Sequence, residues 1–302
     1  MQDQRVIITG ANGLLGLSLL RHAPKKIKLY PTFFKNKIDK DLFGHSFSPL
    51  DVTKKNEVLS MFDRYRPTVI IHAASLGNVD QCEKNPDLAF AINVDGTKHI
   101  LAACEKYNTK LLFTSTNAVF DGRRPPYSER SKVNPLNIYG KTKVLCEQAI
   151  KSSNVQFIIA RLTLMYGWNH PEERQNPVTW LLDRLENEEK IKMVNDTYTN
   201  PIFNEDAAFM IWKLLDHNKR GIYHLAGKER INRYDFAKKT AKIFGHDNRL
   251  IESVTSDYFP GIAPRMPDTT YDVRKIQSEL LVRPMSIKRG LSTMKKSRYL
   301  YE

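Results

Sequence analysis

Long uninterrupted apolar runs are missing from this chain of 302 residues. No stretch approaches the roughly 18 uncharged apolar residues that a bilayer-spanning helix needs. Gly10 comes too early for the apolar core of a secretory leader. A soluble cytoplasmic protein with no membrane partner is therefore expected. Cysteine is scarce: Cys82, Cys104 and Cys146 stand far apart, with neither Cys-x-x-Cys nor metal-ligand spacing. They read as reduced packing residues. No cluster of His, Asp and Glu has ligand spacing either, so no metal is expected. Positive charge is plentiful, with 47 Lys and Arg against 33 Asp and Glu and a net charge of +14. What is lacking is a basic block interleaved with aromatics, which a nucleic-acid stripe would need. The surplus reads instead as favouring anionic small ligands. Internal repeats and low-complexity linkers are absent.

An apolar content of 41% is enough for a sizeable core. The chain opens on the β-branched run Arg5-Val-Ile-Ile-Thr9 and passes directly into Gly10-Ala-Asn12-Gly13-Leu14-Leu15-Gly16, followed by leucines at helical spacing. That is strand, tight glycine turn and helix. Gly10 permits the turn, Gly13 lets the backbone approach a pyrophosphate, and Gly16 lets the helix pack on the strand. Phosphates would then meet the amide-rich end of that helix, with Asn12, Leu14 and Leu15 counted among the cofactor contacts.

Further apolar runs at Ile27–Phe33, Val69–Ala74, Lys110–Ser115 and Gln156–Leu162 alternate with helical patterns at Leu14–His22, Lys54–Tyr65, Pro86–Tyr107 and Tyr139–Lys151. The third helix is expected to break near Asn93. Five strands alternating with helices predict an α/β fold, a doubly wound, parallel, Rossmann-like sheet. After Leu162 the pattern changes to aromatic and Pro-bearing loops, a charged helix near Trp180–Lys190, strand-like Ile191–Val194 and Ile222–Ala226, and a helix at Tyr234–Phe244. The division expected is a dinucleotide-binding domain over 1–163, with 195–227 returning to it, and a smaller C-terminal α/β substrate lobe made of 164–194 and 228–302. The Pro-rich stretch Asp257–Pro267 reads as a loop over the ligand.

Tyr139 and Lys143 carry the chemistry, because one helical turn puts a phenol and an ammonium on one face. A free phenol titrates near ~10 and is a weak acid at neutral pH; a cation four residues on is expected to lower that value. Such a pair can protonate a carbonyl oxygen while hydride arrives from a nicotinamide. Lys143 can also hold the nicotinamide ribose, and the Thr116 hydroxyl can donate a second hydrogen bond as charge develops. Ser115 is the alternative hydroxyl. The end of the second strand reads Thr32-Phe-Phe-Lys35-Asn-Lys37. No carboxylate stands where one would accept from the ribose hydroxyls, and two lysines do, so NADP(H) is favoured over NAD(H).

These residues resemble the extended short-chain dehydrogenase/reductases, and within them the dTDP-4-dehydrorhamnose reductase branch. The resemblance rests on Thr9-Gly-x-x-Gly-x-x-Gly16, Asp51-Val52, His72-Ala-Ala74, Asn93-Val94, Ser115-Thr116 and Pro135-Leu-Asn-x-Tyr139-Gly-Lys-Thr-Lys143. Branch features are Val119-Phe-Asp-Gly, Pro126-Tyr-x-Glu129, Val194-Asn-Asp-x-x-x-x-Pro201 and Ala263-Pro-Arg265-x-Pro267.

The resemblance implies reduction of a 4-keto-deoxysugar nucleotide, as in dTDP-rhamnose biosynthesis, with Tyr139 as acid, Lys143 as helper and Thr116 as the orienting hydroxyl. Asp51 would accept from the adenine amino group while Val52 covers the ring, although Asp51 or Thr53 can equally cap a helix. Ala73 and Ala74 let the cofactor cross the strand ends, and Ser115 belongs with the cofactor contacts. Ser75, Asn117 and Arg265 are assigned to the substrate, the last with a charge suited to a diphosphate or simply to the surface. Asn93 would hold the active-site loop. A homodimer is compatible with this branch.

Two features keep other readings open. Where the branch commonly reads Ser-Thr-Asp-Tyr-Val-Phe, this chain reads Ser115-Thr-Asn117-Ala118-Val-Phe120, which removes a charge and a stacking face from the substrate pocket. The chain also resembles the regulatory β subunit of methionine adenosyltransferase, which binds NADP but works as a partner protein. A sugar-nucleotide epimerase or dehydratase is a third reading.

Overall fold

The computed structural model describes residues 4–35, 43–170, 172–259, 261 and 263–298. In its first half the strands are β1 (Arg5–Thr9), β2 (Lys28–Phe33), β3 (Ser48–Pro49), β4 (Val69–His72), β5 (Lys110–Thr116) and β6 (Phe157–Leu162). The helices between them are α1 (Leu14–Arg21), α2 (Lys55–Tyr65), α3 (Val79–Lys84), α4 (Pro86–Ala89), α5 (Gly96–Tyr107) and α6 (Ile138–Lys151). The second half adds β7 (Met165–Tyr166), α7 (Pro177–Glu186), β8 (Ile191–Val194), β9 (Tyr198–Thr199) and β10 (Ile202–Phe203). Next come α8 (Asn204–Asp216), β11 (Gly221–Leu225), β12 (Ile231–Asn232), α9 (Arg233–Phe244), β13 (Ile251–Val254), α10 (Arg274–Leu280) and α11 (Ile287–Lys296).

Seven strands form the central sheet in the order β11-β6-β5-β4-β1-β2-β3, and every neighbouring pair is parallel. The five expected strands are its interior. Two more lie at its edges: β3, only two residues long and so without a readable period, and β11, carried back by the returning segment. Val6, Ile7, Ile8, Ile70 and Ile71 are fully buried, as continuous apolar strands covered on both faces must be. On one face Leu15 and Leu19 of α1 and Met210, Ile211 and Leu214 of α8 pack against the strands. On the other, Val58 and Phe62 of α2, Ile100 and Cys104 of α5, and Cys146 and Ile150 of α6 do the same. Cys82, Cys104 and Cys146 are free and buried.

The helix expected over 86–107 is interrupted near Asn93, as expected: α4 and α5 are joined by a π-helical turn, Phe90–Asp95, which turns Asn93 inward. Two differences from expectation have physical causes. The helix expected at 180–190 begins earlier, because Asn176 and Thr179 form a capping box with Pro177 at the first helical position. Residues 273–282 fall in the range expected for the smaller lobe, yet Ile276, Leu280 and Val282 belong to the apolar cluster on the α1/α8 face of the sheet. A separate apolar cluster is formed by Tyr166, Leu182, Phe203, Phe236, Leu291 and Met294. Among the described residues no helix is long and apolar enough to cross a membrane.

Candidate active site and cofactor cleft

Gly10 takes φ 64°, and a Cβ there would lie 3.0 Å from the Ala74 backbone. At Gly16 it would lie 2.5 Å from the main chain of Ala11. Both glycines are therefore required by close approach, and Gly10 by its left-handed backbone as well. The carboxyl ends of β1 and β4 are stapled by Thr9, whose Oγ1 accepts from the amides of Ala73 and Ala74 at 3.1 Å each and pairs with His72 Nδ1 at 2.8 Å. Burial, with the Lys143 charge adding to it, pushes the His72 imidazole down to about 3, so this ring stays neutral.

Over these strand ends run two adjoining clefts of about 650 Å³ and 260 Å³ that share Gly10, Gly13, Ala73 and Ser75. The larger is walled by Asn12, Lys35, Asp51, Val52 and Ala74. The smaller is walled by Leu14, Leu15, Gly16, Ser115, Thr116, Tyr139 and Lys143. Asn117 and Arg265 line neither. Lys37 lies outside the described residues. Asp51 Oδ1 accepts from the Thr53 amide at 2.9 Å and the Thr53 hydroxyl at 2.7 Å, so this carboxylate shapes the turn before α2 while lining the cleft. The amides of the glycine turn, the α1 N-terminus and the small residues at the β4 end fit a dinucleotide.

At the smaller cleft, α6 starts where Asn137 Oδ1 accepts from the Gly140 amide at 2.9 Å. Gly140 lies against the Ala118 carbonyl oxygen, closer than any side chain would permit. This contact seats Tyr139 beside Thr116. Lys143 is buried; its Nζ donates to the Thr114 carbonyl at 3.0 Å and lies 5.9 Å from the centre of the Tyr139 ring. Burial pushes Lys143 down to about 8. Tyr139 retains some exposed surface but is densely surrounded, and burial pushes its phenol up to about 12, with the adjacent Thr116 hydroxyl pulling the other way. The expected lowering of the phenol is thus reversed, because desolvation outweighs the Thr116 hydroxyl and the Arg174 charge that pull it down.

Ser115 is separated from Thr116 by its partner. Its hydroxyl donates to Glu147 Oε1 at 2.6 Å, and Glu147 is clamped by Arg161 at 2.9 and 2.7 Å. Thr116 Oγ1 accepts from the Ala118 amide at 3.1 Å and donates to Asn117 Oδ1 at 3.3 Å. Asn117 in turn donates to Thr269 Oγ1 at 2.6 Å, tying the site to the stretch before α10. Arg265 pairs with Asp80 at 2.6 Å and is about half exposed, while the Pro264 carbonyl accepts from Asn137 Nδ2 at 3.0 Å. The 263–267 stretch is thereby docked at the start of α6. Asn93 holds the loop after β4: its Oδ1 accepts from the Leu76 amide at 2.8 Å and the Ser75 hydroxyl at 3.1 Å.

The Glu147–Arg161 clamp was missed in the sequence, since the two residues are on different elements; the only signal was that each interrupts an apolar pattern. Glu173 was missed as well. It comes from the loop before α7 and accepts from Asn12 Nδ2 at 2.7 Å inside the larger cleft.

Comparison with known proteins agrees with this geometry. The model of the RmlD substrate binding domain family matches residues 4–299. The dTDP-4-dehydrorhamnose reductase of Aggregatibacter actinomycetemcomitans is 29% identical, over 96% of this chain and 98% of that protein. The crystal structure of dTDP-4-dehydrorhamnose reductase from Bacillus anthracis str. Ames in complex with NADP has a TM-score of 0.86 at 30% identity, covering 97% of this chain and 99% of that one. Methionine adenosyltransferase 2 subunit beta of Xenopus laevis is 29% identical, over 91% of this chain and 82% of that protein.

Proposed function

We propose that this chain, which belongs to the RmlD substrate binding domain family, is an NADP(H)-dependent reductase of a nucleotide-linked 4-keto-deoxysugar, similar to dTDP-4-dehydrorhamnose reductase. The observation that carries this reading is the meeting of Thr116, Tyr139 and Lys143 on one wall of a cleft that begins at the glycine turn. A related reductase of 30% identity was crystallised with NADP, which supports the cofactor.

A dinucleotide held by the residues lining the two clefts would supply hydride to the keto carbon. Tyr139 holds the proton that the developing alkoxide takes, and with its phenol pushed up to about 12 it is in the acid form at neutral pH. The Thr116 hydroxyl, positioned by Ala118 and Asn117, can turn to donate to the same oxygen. Lys143, as an ammonium, donates to the Thr114 carbonyl and leaves further donors for ribose hydroxyls. Glycine amides of the 10–16 turn and the positive end of α1 would hold the pyrophosphate.

Tyr139→Phe tests the assignment. Turnover of NADPH with a 4-keto sugar nucleotide should fall by about 10²–10⁴-fold, the usual contribution of a general acid, while the dissociation constant of NADPH stays within about twofold. A mutant with wild-type turnover rejects the role.

A second reading is favoured by the likeness to methionine adenosyltransferase 2 subunit beta: an NADP-binding partner subunit without turnover of its own. Silence across a panel of 4-keto sugar nucleotides, with co-purification of a methionine adenosyltransferase catalytic subunit, would support it.

A further inference from the structure

We infer that Glu173 supplies, from the smaller lobe, the carboxylate that reads the adenosine ribose of the dinucleotide. The inference rests on the reading of the two clefts as a dinucleotide site. In the sequence the end of β2 lacks the acid that usually accepts from the ribose hydroxyls, and Lys35 stands about 20 residues beyond the glycine turn, where that acid is expected.

In space the position is filled. Asn12 Nδ2 donates at once to the Lys35 carbonyl at 3.1 Å and to Glu173 Oε1 at 2.7 Å. Because both bonds leave one nitrogen, the carboxylate is a close neighbour of residue 35. Glu173, Lys35 and Asp51 line the same cleft.

The loop that presents Glu173 is built rather than loose. The Glu173 amide donates to the His170 carbonyl at 2.9 Å, and its carbonyl accepts from Asn169 Nδ2 at 3.2 Å. Asn169 Oδ1 accepts from Asn176 Nδ2 at 2.9 Å, and Asn176 caps α7. The base of the loop is thus fixed on a helix, and its acid crosses to the glycine turn of the other domain.

The chemistry follows from charge. A carboxylate there accepts from the 2′- and 3′-hydroxyls of NAD(H) and repels the 2′-phosphate of NADP(H), while Lys35 does the reverse. The two groups oppose each other, so discrimination between the cofactors is smaller than Lys35 alone would set.

The test is fluorescence titration of the full chain with NADPH and NADH, for wild type, Glu173→Gln and Lys35→Ala. Gln keeps an oxygen to accept from Asn12 and removes only the charge. Glu173→Gln should raise the preference for NADPH over NADH by about tenfold, mainly by tightening NADPH, and Lys35→Ala should lower it by a similar factor. An unchanged preference in Glu173→Gln, or equal weakening of both cofactors, overturns the inference while leaving the reductase reading intact. Failure of the wild type to bind either dinucleotide overturns both.

Discussion

Burial moves the two titrating groups of the site in opposite directions, Tyr139 up to about 12 and Lys143 down to about 8. Both shifts favour the neutral form, and both follow from enclosure between β5, α6 and the turn after β5. For Lys143 the ordinary value is 10.5. Between about 8 and 10.5 the unfolded chain binds more protons than the folded one, so the penalty for burying this ammonium is full below about 8 and is relieved as pH rises. The ammonium itself is lost over the same rise. NADPH affinity should therefore weaken above pH about 8 in wild type, and Lys143→Met should bind more weakly with that alkaline limb gone. Titrations across pH 7 to 10 check this; an identical limb in the mutant would assign it to another group.

At this scale the sequence was legible where spacing decides. Tyr-x-x-x-Lys puts the pair on one helical face, and the motif order puts Thr116 near it. The sign of the phenol shift was not legible, because it depends on how completely the fold encloses the ring. Nor was the commitment of Ser115 to Glu147, which lies 32 residues away.

At the scale of elements, α6 is placed by one residue. Gly140 touches the Ala118 carbonyl oxygen, and a Cβ there would also lie 2.9 Å from the Pro135 side chain. Gly140→Ala must push α6 away from the Asn117–Val119 turn and Tyr139 away from Thr116. We expect a loss of stability of about 1–3 kcal/mol, the usual cost of overpacking, and a fall in turnover larger than the loss of NADPH affinity. Denaturant midpoints with steady-state kinetics measure both; unchanged turnover would mean that this contact does not position the phenol.

Strand and helix periods made most elements readable, with ends displaced by a few residues. The π-helical turn at Phe90–Asp95 and the two-residue β3 were not readable, since neither has a period of its own. Asn93 inside a helical pattern was the one available clue to the former.

For the whole molecule, the central parallel sheet leaves two histidines buried. Burial pushes His72 and His224 each down to about 3, with Lys143 reinforcing it at the first and Arg161 at the second. Their ordinary value is 6.5. Below it the unfolded chain takes up protons that the folded chain refuses, so their contribution is intact above 6.5 and lost as pH falls towards 3. Each costs about 1.4 kcal/mol per pH unit in that window. Urea unfolding at pH 7 and pH 5 should show a loss of a few kcal/mol; equal midpoints would show that both rings take up protons in the fold as readily as in the unfolded chain.

The parallel sheet and its glycine turn were legible because each strand announces itself locally. The contacts that close the site were not, because Glu173 with Asn12 and Asn117 with Thr269 meet across more than 150 residues. Reduction of a sugar-nucleotide carbonyl is tested most directly by following NADPH absorbance with dTDP-4-keto-6-deoxysugars, wild type beside Tyr139→Phe. Wild type should oxidise one NADPH per sugar reduced, and the mutant almost none. No oxidation by the wild type, despite bound NADPH, would contradict it.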